Sequence, residues 1–297
     1  MKYTCQSEYL PMHEVFVHPV SDAFISDAKI AREWKSLNYL GRPHLQKAQQ
    51  EYQTFLQLFE AAQINTISML RDDSLSMDAM YCRDAAIATD HGMILCNMGK
   101  AARMLEPQAH RKVYEAAGIP ILGTIAAPGT LEGGDVAWLD RNTLAVGLTY
   151  RTNEAGIAQL KNLLAPHGIE VMVVDLPHYR GKSDVFHLMS IFSPVDRDLA
   201  VVYSPLMPIR FRNHLIARGF GLVEVPESEF DTMGCNVLAI VPRKCIMVSG
   251  NPLTMAALQK AGCEVLSYLG EEIGVKGGGG PTCLTRPWKR RLPSLHL

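Results

Sequence analysis

In KGGGGPTCLTRP, residues 276–287, a cysteine at position 283 follows four glycines and two intervening residues. A thiol is a nucleophile only as the thiolate and only with access to its target. Glycines ahead of it remove side-chain cover and let backbone N–H groups approach a ligand. The pattern therefore points to a nucleophile on a bare, mobile loop. The alternative is an incidental buried cysteine behind a flexible link. No Gly-Lys-Ser/Thr follows the glycines, which argues against a phosphate cradle.

Carboxylates form two further groups. LEGGDVAWLD (131–140) sets Glu132 and Asp135 on either side of two glycines at a strand entrance, where a tight turn could receive a cation or simply face solvent. SMDAMYCRDAA (76–86) carries Asp78 and Asp84 at even separation, so on an extended segment both would face one pocket, with Arg83 facing away to pair elsewhere. A plain structural ion pair is the competing reading. DVFHLMS puts His187 in an otherwise apolar strand, as an acid/base or as a satisfied core residue. VGLTYRTN offers Arg151 and Asn153 at a strand end, and arginine suits a bidentate grip on a carboxylate.

The elements that must position these groups alternate between short apolar strands and helices. EVFVHP reads as a strand, and residues 44–63 as a long helix, because Leu45, Tyr52, Leu56 and Phe59 recur at helical spacing. AAIATDHGMILCN reads as a hairpin turning at Asp90-His91-Gly92. Residues 107–117, 153–165, RFRNHLIARGF and 253–262 read as helices, each followed by a strand; HLMSIFSP with LAVVYSP and NVLAIVPRKCIMVSG read as further paired strands. The rhythm is hairpin, helix, strand, returning roughly every 50–60 residues. No linker interrupts it, so residues 1–297 are expected to form one α/β domain. Residues 20–43 are a long insert, either a lid or a surface loop with a short helix at 26–35.

With 47% apolar and 20% charged residues, the chain has material for a sizeable core. Its net charge of -1 argues against a nucleic-acid or anionic-membrane partner. The basic RPWKRR near the end is expected to be a solvated tail. Seven cysteines without a C-x-x-C pair suit free thiols in a reducing compartment better than disulfides or a zinc knuckle. With no secretory start and no apolar run of membrane length, a soluble, cytoplasmic protein is expected. Association into a homodimer is left open.

Five motifs occur in a fixed order: D-x-M-x-x-R-D, E-G-G-D-V, V-G-L-x-x-R-T-N, F-H-L-x-S and G-G-G-G-P-x-C-L-T. Together they resemble the guanidino-modifying enzymes: dimethylarginine dimethylaminohydrolases, arginine deiminases and amidinotransferases. The resemblance spans residues 78 to 285 and implies a five-bladed α/β-propeller around a polar central channel. It implies Cys283 as nucleophile, His187 as general acid/base and Glu132 as the carboxylate holding both the guanidinium and the histidine. Asp84 and Asp78 would form the substrate cation site with Asp135 close by, and Arg151 would take a substrate carboxylate. The implied ligand is a small guanidino molecule, and the implied chemistry requires no metal or organic cofactor.

Three positions depart from the family pattern. Deiminases and many amidinotransferases carry H-x-D where this chain has His187-Leu188-Met189, so a second guanidinium-binding carboxylate is missing. An unsubstituted guanidinium would leave donors unpaired there, whereas an N-alkylated one presents an apolar edge that Met189 can accept. This leans towards the dimethylarginine hydrolases. Arg83 stands where those hydrolases commonly have glutamate, and Asn97 where they often have a second arginine, with Arg103 nearby. The substrate tail can therefore differ from that of an α-amino acid. Deimination of arginine, amidino transfer and a catalytically silent guanidino-binding propeller are the alternatives.

Overall fold

The computed structural model describes residues 2–293. After the short β1 (Tyr3–Thr4), β2 (Met12–Val17) begins a pattern that recurs around the molecule. Two small helices, α1 (Val20–Phe24) and α2 (Asp27–Glu33), precede the long α3 (Leu45–Ala61), which leads to β3 (Asn65–Ser68), parallel to β2. A hairpin of β4 (Ala86–Thr89) and β5 (Gly92–Leu95) follows, then α4 (Glu106–Ala116) and β6 (Ile121–Thr124), parallel to β5. The next unit has β7 (Val136–Asp140), β8 (Thr143–Leu148), α5 (Glu154–Leu164) and β9 (Glu170–Asp175). A fourth has β10 (Phe192–Asp196), β11 (Leu199–Val202), α6 (Ile209–Ala217) and β12 (Gly221–Glu224). Past α7 (Glu227–Phe230) come β13 (Leu238–Val241), β14 (Lys244–Val248), α8 (Pro252–Lys260) and β15 (Glu264–Tyr268). Finally β16 (Thr285–Arg291) returns to pair antiparallel with β2.

Five sheets of one topology result, the five blades of an α/β-propeller, as the resemblance implied. The first strands of four hairpins, β4, β7, β10 and β13, are buried almost throughout, which explains their mostly apolar sequences. The third strand is largely exposed or half-buried. Each helix lays an apolar stripe on its sheet; in α3 the stripe is Ala48, Tyr52, Phe55 and Phe59. The first hairpin turn needs Gly92, which adopts φ 125° with the Pro120 carbonyl where a Cβ would lie. Glu229 of α7 accepts hydrogen bonds from the Leu253 and Thr254 N–H groups at 2.7 and 2.8 Å, capping α8.

Three expectations need correction. RPWKRR is no solvated tail: it lies in β16, between β1 and β2, with Arg286 and Arg290 buried. Their charges are tolerated because Glu8 is buried among the same arginines and ion-pairs Arg83 at 2.8 Å. His187 is not in a strand but precedes a 3-10 turn, Leu188–Ser190. Residues 76–86 are not extended, because Met77–Met80 form another 3-10 turn. The insert at 20–43 holds both α1 and α2, the latter N-capped by Ser26, whose Oγ accepts from the Lys29 N–H at 3.2 Å. Among the described residues, no helix is long and apolar enough to cross a membrane.

Candidate active site

Each blade carries chemistry at the same place, the loop that leads into its innermost strand. Asp84 precedes β4, Glu132 and Asp135 precede β7, His187 precedes β10, and Cys283 precedes β16. Residues far apart in sequence therefore converge at one end of the propeller. Asp78, Asp84, Glu132, Arg151, His187 and Cys283 all line one narrow recess.

Cys283 lies in a tight turn, its N–H donating to the Gly280 carbonyl at 3.0 Å. The glycine loop is not bare and mobile but packed. A Cβ on Gly279 would stand 2.5 Å from the Tyr81 ring, and one on Gly280 2.5 Å from Asn236 Oδ1. The glycines permit close approach rather than motion. Asn236 donates to the Cys283 sulfur at 3.3 Å, and its Oδ1 accepts from the Thr282 N–H and hydroxyl at 3.0 and 2.8 Å. Burial, and then the Asp84 carboxylate, push the Cys283 thiol above its ordinary value; the Gly280, Asn236 and Thr282 contacts partly oppose this.

His187 pairs through Nε2 with Glu132 Oε2 at 2.8 Å, and its Nδ1 is 4.0 Å from Asp84 Oδ1. Burial disfavours the imidazolium, yet Asp135, Asp84 and Glu132 outweigh it and raise the group to about 9. Burial likewise works against the Glu132 carboxylate, but His187 and Arg151 hold it below the usual carboxylate range. The resting site is therefore a protonated thiol beside an imidazolium–carboxylate pair. Glu132 Oε1 accepts from the Lys100 N–H at 3.0 Å and lies 3.5 Å from Arg151 Nη1.

Asp135 does not line the recess. Its Oδ2 accepts from the Thr149 and Thr152 hydroxyls at 2.8 and 2.6 Å, and its Oδ1 from the Leu188 N–H at 3.0 Å. It thus fixes the turn that holds His187, and its expected place among the substrate contacts is corrected to one behind the histidine. Burial raises Asp135 to about 6, with His187 and the two hydroxyls acting against that rise. Arg83 faces away from the recess, as expected, and Asn97 donates to the Gly129 carbonyl at 2.6 Å, tying two blades together.

The remaining carboxylates already have partners. Asp84 Oδ2 accepts from Arg103 at 2.5 Å, and Arg103 also grips Glu106 at 2.8 Å through two nitrogens. Asp84 Oδ1 is buried with no partner. Asp78 Oδ2 accepts from Lys100 Nζ at 2.6 Å, and the same ammonium donates to the Leu37 carbonyl at 2.9 Å. Ligand atoms of Asp84, Glu132 and His187 lie within 4.8 Å of one another, so they could hold a cation. A metal ion would need His187 neutral, whereas with His187 protonated the acceptors left for a planar organic cation are Asp84 and Glu132.

Past Cys283 and His187 the recess opens into a cavity of about 230 Å³, walled by Tyr179, Phe186, Met189, Phe230 and Met233, with Asn38 and Leu40 of the insert at its edge. The loop carrying Tyr179 and Phe186 is tied across it by Arg180–Asp231 at 2.6 Å and by Asn38 donating to the Ser183 carbonyl at 3.0 Å. Lys100, Asn236 and Tyr81 escaped the sequence reading. For Asn236 a signal existed, since it precedes β13 as the other site residues precede their strands.

A family model described as N,N dimethylarginine dimethylhydrolase, eukaryotic, matches residues 25–290. The N(G),N(G)-dimethylarginine dimethylaminohydrolase of Pseudomonas aeruginosa is 24% identical over 248 residues, covering 84% of this chain and 91% of the relative. A solved structure of that enzyme from Pseudomonas aeruginosa, a mutant complexed with citrulline, superposes with TM-score 0.75 at 20% identity, covering 94% of this chain and 99% of the other. SxtG, an amidinotransferase from Microseira wollei, superposes with TM-score 0.78 at 16% identity, covering 98% of each chain.

Proposed function

Because the chain belongs to the N,N dimethylarginine dimethylhydrolase family, we propose that it is a cysteine hydrolase of an N-substituted guanidino compound. The observation that carries this reading is the convergence of Cys283, His187, Glu132 and Asp84 on one recess. The whole of residues 1–297 is taken as one catalytic unit, since β16, just past the nucleophile, completes the sheet begun by β2.

The guanidinium lies between Asp84 Oδ1 and Glu132, which keep it protonated and so keep its carbon electrophilic. The cation also offsets the Asp84 charge that, together with burial, holds the Cys283 thiol protonated in the free enzyme, so on binding the thiol gives its proton to solvent water and becomes the thiolate. The thiolate attacks the guanidinium carbon, forming a C–S bond and a tetrahedral adduct. His187, protonated at rest, gives its proton to the departing amine as the C–N bond breaks, leaving an S-alkylthiouronium on Cys283. The neutral imidazole then takes a proton from water, which adds to the same carbon. Cleavage of the C–S bond releases the ureido product. For methylated arginine the products are citrulline and methylamine or dimethylamine.

Two positions past His187, where deiminases carry a carboxylate, Met189 lines the cavity. This supports an N-alkylated guanidine over deimination of arginine itself, where buried N–H groups would go unpaired. The test is incubation of the purified protein with arginine, its mono- and dimethylated forms, agmatine and guanidinoacetate, followed by mass spectrometry of the trapped enzyme. An alkylamine product with a substrate-derived adduct on Cys283 is expected. An adduct elsewhere, or none together with no turnover, overturns the reading.

A further inference from the structure

The recess carries its own counter-ions. Asp78, expected to receive a cationic part of the substrate, is occupied by Lys100 Nζ at 2.6 Å, in a pair with little solvent exposure on either side. A second ammonium at Asp78 would have to expel the first or sit beside it, and like charges at that range repel strongly in a screened-off site. The lining that remains at this end is cationic: Lys100 itself and Arg151. Two buried polar atoms belonging to residues of the recess lack hydrogen-bond partners, the acceptor Asp84 Oδ1 and the donor Arg151 Nε. One ligand satisfies both if it carries a cationic donor at one end and an acceptor at the other.

Asp78, Asp84 and Glu132 share the recess with Lys100, Arg103, Arg151 and the His187 imidazolium, while Cys283 is a neutral thiol. A lining with no surplus of negative charge favours a ligand that is itself neutral overall, a guanidinium joined to a carboxylate, over one with an added ammonium.

We propose that Lys100 is the specificity-determining residue of this site and selects ω-guanidino carboxylic acids that lack an α-ammonium group. This rests on the guanidino-hydrolase reading and refines its substrate class. The guanidinium binds Asp84 and Glu132 beside Cys283, and the carboxylate is received by Arg151 and Lys100. Lys100 stays on Asp78 throughout and takes the place an α-ammonium would need.

The experiment compares kcat/KM for N-methylated 5-guanidinopentanoate with that for N-methylated arginine, which differs from it only by the α-amine. Wild type is expected to favour the deaminated acid by about tenfold or more. Lys100→Met is expected to reverse the preference, because it frees Asp78 for an ammonium and removes a carboxylate partner. Asp78→Asn, which keeps the lysine cation, should preserve the wild-type preference and serves as the second variant should Lys100→Met fail to fold. Equal or better use of methylarginine by wild type would mean that Lys100 swings aside, and overturns the proposal while leaving the hydrolase reading intact. Turnover of neither compound, with no adduct on Cys283, overturns both.

Discussion

Asn236 and Cys283 are joined by a hydrogen bond of 3.3 Å from the side-chain amide to the sulfur. The same Asn236 holds Thr282 through its oxygen, so a single side chain both supports charge on the sulfur and fixes the turn presenting it. Asn236→Ala is expected to lower kcat by about a hundredfold, as loss of a donor aimed at developing charge does. KM should change little, since the guanidinium contacts lie on other blades. A KM rise with unchanged kcat would place Asn236 in ground-state binding instead.

His187 should titrate high. With its imidazolium held to about 9, the proton donor is present at neutral pH, and kcat should decline as pH rises past that value. Glu132→Gln removes the charge facing the ring and leaves only a neutral acceptor, so an NMR titration of labelled histidine should show a lower value. The stability sign follows. A folded-state value above the ordinary 6.5 gives stabilisation that is complete below 6.5 and lost as pH rises through about 9. Urea midpoints of wild type and His187→Asn should therefore converge at high pH.

Asp84 has opposite effects on binding and on thiol reactivity. Its charge helps to hold Cys283 protonated, so Asp84→Asn should speed alkylation of Cys283 by iodoacetamide at fixed pH. The same variant should lose turnover by about two orders of magnitude or more, because the guanidinium loses a buried carboxylate. Unchanged alkylation would mean that burial alone sets the thiol.

Glu8 supports the fold rather than the chemistry. It faces Arg83 at 2.8 Å with both side chains buried, and burial alone would raise its carboxyl, but Arg83, Arg290 and Arg286 bring it below its ordinary value. Glu8→Ala leaves a buried guanidinium uncompensated and should cost about 3–5 kcal/mol of stability, read from chemical denaturation.

The hairpin–helix–strand rhythm was legible because most hairpin strands are largely apolar and each helix keeps its stripe. Cys283, His187, Glu132, Asp84, Asp78 and Arg151 were singled out by the ordered motifs, and all six line one recess; their roles there are those the resemblance implies. Asp135 was misplaced because spacing cannot tell a carboxylate facing a cavity from one facing the turn behind it; the hydroxyls of Thr149 and Thr152 decide that. Lys100 was invisible for a different reason. A lone lysine after an apolar strand reads as surface until its ammonium is seen on Asp78. The basic stretch 286–291 misled because composition does not reveal a buried Glu8 among arginines.

The strand that seals the first blade begins two positions beyond the nucleophile. On the ribosome, β2 must wait, its apolar Val15, Phe16 and Val17 lacking one neighbour, until residues 285–291 have been made. Cys283 thus acquires its surroundings in the same late event that covers this sticky edge. A message cut short after the fourth helix-bearing unit would yield a chain that lacks Cys283 and leaves that edge open to clump with others of its kind.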